Sequence, residues 1–331
     1  MKCPICDNFI FKKLFDLHDD RYGEPNLYSV KECKKCGHFC TFPRIENEGL
    51  SKLYGTFYPR KNIDLESIVN EAKIESKKFS AFFRWLKGTN NQGQFYTKKD
   101  DFFLDIGCGS GVSLIEAEKL GAKAFGLEAD PNITKISQTL NLNIFQGDLE
   151  ESPFKDIKFD LIILNQVIEH IPEPDIFLKR LTTKLTKNGL LIISFPNVNS
   201  IWRFLFRERW INWHVPYHLH HFKAKNFSIL LNKCGFQIIK KKSITPYVWS
   251  LMQIRNILKP IQIGEKNEQW MSYKPSNTIN KTDNDIFNKI KNLFKILIKI
   301  LIIVPITIFN RFIDLFGFGD SLMFFIQKID K

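Results

Sequence analysis

Phe102-Phe103-Leu104-Asp105-Ile106-Gly107-Cys108-Gly109-Ser110-Gly111-Val112 is the stretch that decides the fold. A short apolar run ends in glycines at alternate positions, and Val112 to Leu120 then suits a helix. Glycines in such a strand-to-helix turn let the backbone come close to a ligand, and the helix start offers free N–H groups. A dinucleotide fingerprint would end in a third spaced glycine, but Val112 stands there, so that match fails. Asp105, just before the first glycine, puts negative charge beside the loop and suits a cationic ligand better than a pyrophosphate.

Outward from this turn the chain alternates. Ala124–Leu127 reads as a second strand, a helix follows near Asn132–Leu140, and Ile144-Phe145 is a short third strand. Phe159–Leu164 is a fourth, then a helix at about Ile176–Leu185 and a fifth strand at Leu190–Phe195. Phe227–Cys234 suits a helix, Gly235 its C-cap, Phe236–Ile239 a sixth strand and Leu322–Ile326 a seventh. Strands and helices alternating at this spacing predict an α/β protein with a parallel sheet covered on both faces. The expected division is 1–45, 46–100 (a helical linker or cap), 101–243 (the sheet core), 244–317 (a helical insertion) and 318–331 (the last strand).

Glu128 ends the second strand about twenty residues past the glycines, where a carboxylate can accept both hydroxyls of a ribose. Gly147-Asp148-Leu149 follows the third strand, where an acid can receive an adenine amino group. Asn165 ends the fourth and opens Asn165-Gln166-Val167-Ile168-Glu169-His170-Ile171-Pro172. The ordered set Leu104–Gly111, Gly126-Leu127-Glu128, Gly147-Asp148-Leu149 and Phe159-Asp160-Leu161-Ile162 resembles the class I S-adenosylmethionine-dependent methyltransferases. Val167–Pro174 and Asn188–Ser194 resemble the segments around their fourth and fifth strands. The resemblance covers 102–240 and the last strand, and it implies a Rossmann-like seven-stranded sheet with the last strand antiparallel. It also implies that Gly107, Gly109 and Gly111 pass beside the cofactor's amino-acid portion, with Asp105 and Asn165 nearby. Glu128 would hold the ribose, and Asp148 and Leu149 would meet the adenine.

Methyl transfer from a sulfonium needs mainly alignment, helped by a general base when the acceptor is a hydroxyl or an acidic carbon. His170 follows the fourth strand, and Trp213–Phe222 supplies His214, His218, His220 and His221. The catalytic candidates are His170, His218 and His221, each with packing as the competing use. A metal reading of the cluster lacks an acidic partner at ligand spacing, and His220 and His221 should face opposite ways.

Cys3-Pro4-Ile5-Cys6 and Cys33-Lys34-Lys35-Cys36 form two Cys-x-x-Cys pairs, the pattern of a four-cysteine structural zinc ribbon with no open position. His38 and Cys40 are expected to be bystanders. With Leu53–Tyr58 behind it, this module resembles that of certain sugar C-methyltransferases, which implies a carbohydrate-related acceptor and leaves oxygen or carbon methylation open. The N-terminus shows no apolar stretch of a signal peptide, so a cytoplasmic protein with reduced cysteines is expected.

Lys and Arg number 48 against 35 Asp and Glu, a net charge of +13, which favours an anionic partner. In residues 286–316, Lys291, Lys295 and Lys299 recur every fourth residue among Ile, Leu and Phe. The uncharged run 300–309 is shorter than the about 20 residues a bilayer crossing takes, so an interfacial helix on an anionic membrane is expected, kinked at Pro305. Packing or a homodimer interface is the alternative use. RNA methylation through the zinc module and basic surface is the competing function, opposed by the absence of an aromatic RNA-binding motif.

Overall fold

Strand alternation dictates where the core sits. Phe103, Leu161, Ile163, Ile192, Met323 and Phe325 bury on one face of the main sheet. Their neighbours Leu104, Ile162, Leu164, Ile193, Phe195 and Phe324 bury on the other. Successive side chains of a strand point to opposite faces, so strands that are apolar throughout must be covered on both sides.

The computed structural model describes residues 2–58, 80–90, 92–130, 133–271 and 286–329, and of residues 80, 133–136, 271 and 286–300 the backbone alone. Three strands come first, β1 (Phe11–His18), β2 (Leu27–Cys33) and β3 (Phe39–Phe42), then helices α1 (Asn47–Phe57) and α2 (Ser80–Lys87). The alternating region holds β4 (Phe102–Ile106), α3 (Val112–Lys119), β5 (Lys123–Glu128), α4 (Ile133–Leu140) and β6 (Ile144–Gln146). It continues with β7 (Phe159–Asn165), α5 (Pro174–Thr182) and β8 (Leu185–Pro196). After it come α6 (Ile201–Phe206), β9 (His220–His221), α7 (Ala224–Lys233) and β10 (Phe236–Ile244). Last are α8 (Tyr247–Leu258), α9 (Glu268–Met271), α10 (Ile286–Leu315) and β11 (Ser321–Lys328).

The main sheet has the order β10-β11-β8-β7-β4-β5-β6. β11 runs antiparallel to both neighbours while the pairs among β4 to β8 are parallel, so the expected fold class is borne out. From β4 the chain winds outward to β5 on one side and later to β7 on the other. That reversal is where open α/β sheets leave a crevice at the carboxyl ends of their strands.

Three boundaries differ from the sequence reading. α5 ends at Thr182 and Leu185 already belongs to β8, because Pro174 in the first turn starts the helix early. The sixth strand runs on to Ile244, since β11 offers it a partner as far as Ser321. The linker helix expected across 46–100 falls partly on residues 59–79, outside the described residues.

The second sheet, β1-β2-β3-β9, crosses the chain: its last strand is His220–His221, paired with Phe39 and Cys40. Cys3, Ile5 and Cys33 share a buried cluster with Phe222, Phe227 and Leu230, so the N-terminal residues pack beside α7 on one face of the core. Asn226 Nδ2 donates to the Cys36 carbonyl at 2.7 Å and Lys233 Nζ to Asp7 at 2.9 Å, both from α7.

α10 packs by one side. Asn310 is buried and its Oδ1 accepts from Trp202 Nε1 at 3.0 Å. Leu301, Ile308, Phe312 and Leu315 are exposed. Among the described residues no helix is long and apolar enough to cross a membrane. The expected lysine face at 291, 295 and 299 lies outside the side chains described.

Candidate active site

The glycine turn after β4 holds Gly107, Gly109 and Gly111 with φ of +74°, +56° and +78°. The left-handed region strains any other residue, and at Gly107 a Cβ would also lie 2.6 Å from Val167 Cγ2. At Gly109 a Cβ would meet nothing within 4 Å, because that glycine faces open space. Beside it lies a cleft of about 350 Å³, lined by Gln94, Asp105, Gly107, Gly109, Ser110 and Asn165 among others. Its size falls in the range of small-molecule sites.

Asp105 lies under the turn, buried, and accepts from Ser113 Oγ. Burial pushes its carboxyl up to about 7, and its Oδ1 has no hydrogen-bond partner. Glu116, also buried, lines the same cleft and accepts from Gln94 Nε2 at 2.7 Å. Two carboxyls around open space suit a cationic ligand carrying an ammonium or a sulfonium, and the glycine turn lets its backbone draw close. Asn165 Oδ1 accepts from the Gly93 amide at 3.0 Å and its Nδ2 reaches Gln94 Oε1 at 3.4 Å, fixing the segment before β4 as a wall of the cleft.

The two outer acids behave differently from each other. Glu128 Oε2 accepts from the Gly109 amide at 2.8 Å, and its Oε1 from the amides of Ala129 and Asp130 at 2.9 and 3.1 Å. The next loop abuts it, the Gly147 amide donating to the Glu128 carbonyl at 3.0 Å. Asp148 is exposed and its Oδ1 accepts from the Glu150 amide at 3.1 Å. Leu149 is buried in the core with Phe154 and Leu127. Gly109, Glu128 and Gly147 are thus neighbours, and Leu149 contributes to packing.

On the other side of Gly107, Val167 leads into a short 3-10 turn, Ile168–His170. His170 Nδ1 lies 3.0 Å from Tyr54 Oη of α1, and its ring packs edge-on to His218 at 4.7 Å. His218 is buried and its Nδ1 lies 2.8 Å from the Asn212 carbonyl, which assigns the proton to Nδ1 and leaves the Nε2 lone pair exposed to chemistry. Burial holds the imidazoles of His214 and His218 well below their ordinary value, so both are neutral at pH 7. Facing His218 Nε2 at 3.9 Å is Glu169 Oε1. Both Glu169 carboxyl oxygens are buried without a hydrogen bond, and burial pushes the group up to about 8. Tyr22, Tyr54, Tyr58 and Tyr217 pack on one another with ring separations of 4.8 to 5.8 Å. Tyr22 and Tyr217 reach His214 at 5.6 and 4.9 Å, and Tyr54 reaches His170 at 6.4 Å.

Two sequence expectations are corrected here. His221 does not join His170: its Nε2 pairs with Thr41 Oγ1 at 3.0 Å and its ring lies edge-on to Trp213, because β9 turns it toward β3. An acidic partner does stand beside the histidines, namely Glu169, brought there by the turn after β7. His38 and Cys40, as expected, do not join the four cysteines, and both converge on His220. Sequence reasoning also missed Gln94, Glu116 and the tyrosines. Glu169 alone carried a signal, its place next to His170.

The four cysteines of the N-terminal pairs come together, their Sγ atoms all within 4.8 Å of one another. Cys3–Cys36 and Cys6–Cys33 are 3.6 and 3.5 Å apart. Tetrahedral zinc with bonds of about 2.3 Å sets sulfurs about 3.8 Å apart, so the donors fit such an ion.

Residues 84–241 match the family described as a methyltransferase domain. A ubiquinone biosynthesis O-methyltransferase of Bradyrhizobium diazoefficiens is 31% identical over 101 residues, 29% of this chain and 40% of that protein. The ribosomal protein L11 methyltransferase of Helicobacter hepaticus is 35% identical over 99 residues, 28% of this chain and 30% of that protein. The chain therefore spans less than half the length of these relatives. A solved cyclopropane synthase from Mycobacterium tuberculosis is 15% identical, with a TM-score of 0.44, over 73% of this chain and 81% of that one. The chain carries a class I S-adenosylmethionine-dependent methyltransferase domain.

Proposed function

We propose that this domain gives the whole chain S-adenosylmethionine-dependent methyltransferase activity toward an oxygen or carbon of a small or lipid-linked, carbohydrate-related acceptor. One observation carries the reading: the glycine-turn cleft and the His170–His218 pair adjoin, with Val167 packed against Gly107 between them. Bound S-adenosylmethionine supplies a methyl already activated by its sulfonium. Asp105, Glu116 and Asn165 would hold it, with Gly109 admitting its approach. The chain's remaining tasks are to exclude water and to take a proton. The tyrosine and histidine rings provide the first. His218 Nε2 provides the second, its proton on Nδ1 held by Asn212. His170, bonded to Tyr54, is placed to orient the acceptor hydroxyl or to relay that proton.

The four-cysteine cluster holds structural zinc in this reading, supported by the sulfur spacing above. Cys33→Ser then loses one equivalent of zinc and lowers the melting temperature. The exposed apolar side of α10, with Leu301, Ile308, Phe312 and Leu315, supports peripheral attachment to the inner face of an anionic membrane. Flotation with anionic liposomes tests this, and a Phe312→Ser, Leu315→Ser variant that floats as well as wild type counts against it. The activity itself is tested by incubating the protein with labelled cofactor and fractionated extract, followed by mass spectrometry of the product. Label transferred only to RNA would overturn the acceptor class.

A further inference from the structure

β3 and β9 bring a second set of soft donors together, outside the lining of the cofactor cleft and next to the four-cysteine cluster, whose Cys33 amide donates to the His38 carbonyl at 2.9 Å. Cys40 lies directly opposite His220 in the ladder, so their side chains share a face. His38 precedes Cys40 by two residues and falls on that same face. All three are essentially inaccessible to solvent. We propose that His38, Cys40 and His220 form a zinc site of their own, which staples the N-terminal sheet to the segment carrying His218.

The distances select this group. With zinc bonds of about 2.05 Å to nitrogen and about 2.3 Å to sulfur, tetrahedral edges are about 3.4 Å between nitrogens and about 3.6 Å from nitrogen to sulfur. His38 Nε2 lies 3.2 Å from His220 Nδ1, and Cys40 Sγ lies 3.7 Å from that same nitrogen. The other convergent group, Glu169, His170 and His218, has its Glu169–His218 edge at 3.9 Å, wider than the about 3.4 Å a shared ion would set.

Outer contacts orient the donors. His220 Nε2 is 3.3 Å from the Pro172 carbonyl, which places the proton there and turns the Nδ1 lone pair toward His38 and Cys40. Ligating histidines are held in this manner by a carbonyl behind the ring. With the His220 proton on Nε2, His38 donates from Nε2 to the His220 Nδ1 lone pair, so metal binding moves the His38 proton to Nδ1, a buried nitrogen with no other hydrogen bond. On binding, Cys40 releases its proton to solvent and coordinates as thiolate, and the three protein donors leave the fourth position to water.

The site would matter to the reaction only through placement. Thr41, next to Cys40, donates from its amide to the Leu219 carbonyl at 3.0 Å and from Oγ1 to the His218 carbonyl at 2.6 Å. A metal joining β3 to β9 therefore fixes the backbone immediately after His218.

The test uses the full-length protein, stripped of metal and titrated anaerobically with zinc while free zinc is read with a competing indicator. Two tight equivalents per chain are expected, one lost in Cys40→Ser and in His220→Gln, and the other lost in Cys33→Ser. Should the four-cysteine reading fail, wild type takes one equivalent, which Cys40→Ser removes and Cys33→Ser keeps. Cobalt substitution gives a second readout, since a fifth thiolate raises the charge-transfer absorbance above that of Cys40→Ser. A single equivalent in wild type, kept in Cys40→Ser and His220→Gln, overturns the proposal, and the wild-type titration needs no variant to fold.

Discussion

Replacing His218 with alanine separates catalysis from packing. The ring is buried, its Nδ1 bonds to the Asn212 carbonyl and its Nε2 faces Glu169. Truncation leaves the Asn212 carbonyl unpaired in the interior, a cost of about 1–3 kcal/mol. For a chain of 331 residues, with an unfolding entropy of about 2.1 cal/mol/K per residue, that amounts to a fall of roughly 1–2 °C in melting temperature per kcal/mol. Loss of a general base lowers turnover by about 10²–10⁴-fold. The cofactor cleft is lined by Gln94, Asp105, Gly109 and Asn165 and not by His218, so cofactor affinity should stay within about threefold of wild type. Calorimetry with the cofactor, thermal melting and initial rates on the identified acceptor measure the three quantities separately. His214→Ala serves as the packing control, because that ring lies 4.8 Å from His218 without the Asn212 bond. Turnover within threefold of wild type, with the melting temperature lowered as expected, would show that His218 only packs. Turnover lost together with cofactor binding would show that the two pockets are not independent.

The glycines of the turn should divide in a similar manner. Gly109→Ala keeps the fold at a cost of about 1–2 kcal/mol for its backbone angle and weakens cofactor binding at least tenfold. Gly107→Ala adds the Val167 clash and loses a further about 1–3 kcal/mol of stability. Melting curves and calorimetry distinguish them, and unchanged affinity in Gly109→Ala would remove that residue from the site. Asp320 accepts from Ser200 Oγ, Trp210 Nε1 and Asn212 Nδ2, so it braces the residue that holds His218. Asp320→Asn should lower both stability and turnover while cofactor affinity holds, and a turnover equal to wild type would deny the bracing. The pH dependence of stability has a defined sign. Burial raises Asp105 and Asp320 to about 7 and Glu169 to about 8, above their unfolded values, so the stability they contribute is lost as pH rises through 7 to 8. Melting temperature should fall between pH 6.5 and 8.5, on the order of 1–2 kcal/mol for Glu169, and fall less in Glu169→Gln. An identical slope in that variant would refute the assignment to Glu169.

Patterning alone determined the sheet. Runs such as Leu161-Ile162-Ile163-Leu164 demand cover on both faces, and the alternation with helices permits parallel pairing, so fold class was legible in residues 102–240. Local chemistry likewise marked the glycine turn and the Cys-x-x-Cys pairs, because backbone freedom and thiolate spacing are properties of a few consecutive residues. Other features depend on contacts between distant segments, which no local pattern encodes. His221 went to the N-terminal sheet because β9 pairs with β3, about 180 residues earlier. Gln94 and Glu116 reached the cleft through the 3-10 turn Gly93–Tyr96 and the buried side of α3. The protonation of His218 is set by a backbone carbonyl that Asp320, near the end of the chain, holds in place. Periodicity fixes which face a side chain occupies; only the packed tertiary structure decides what stands opposite it.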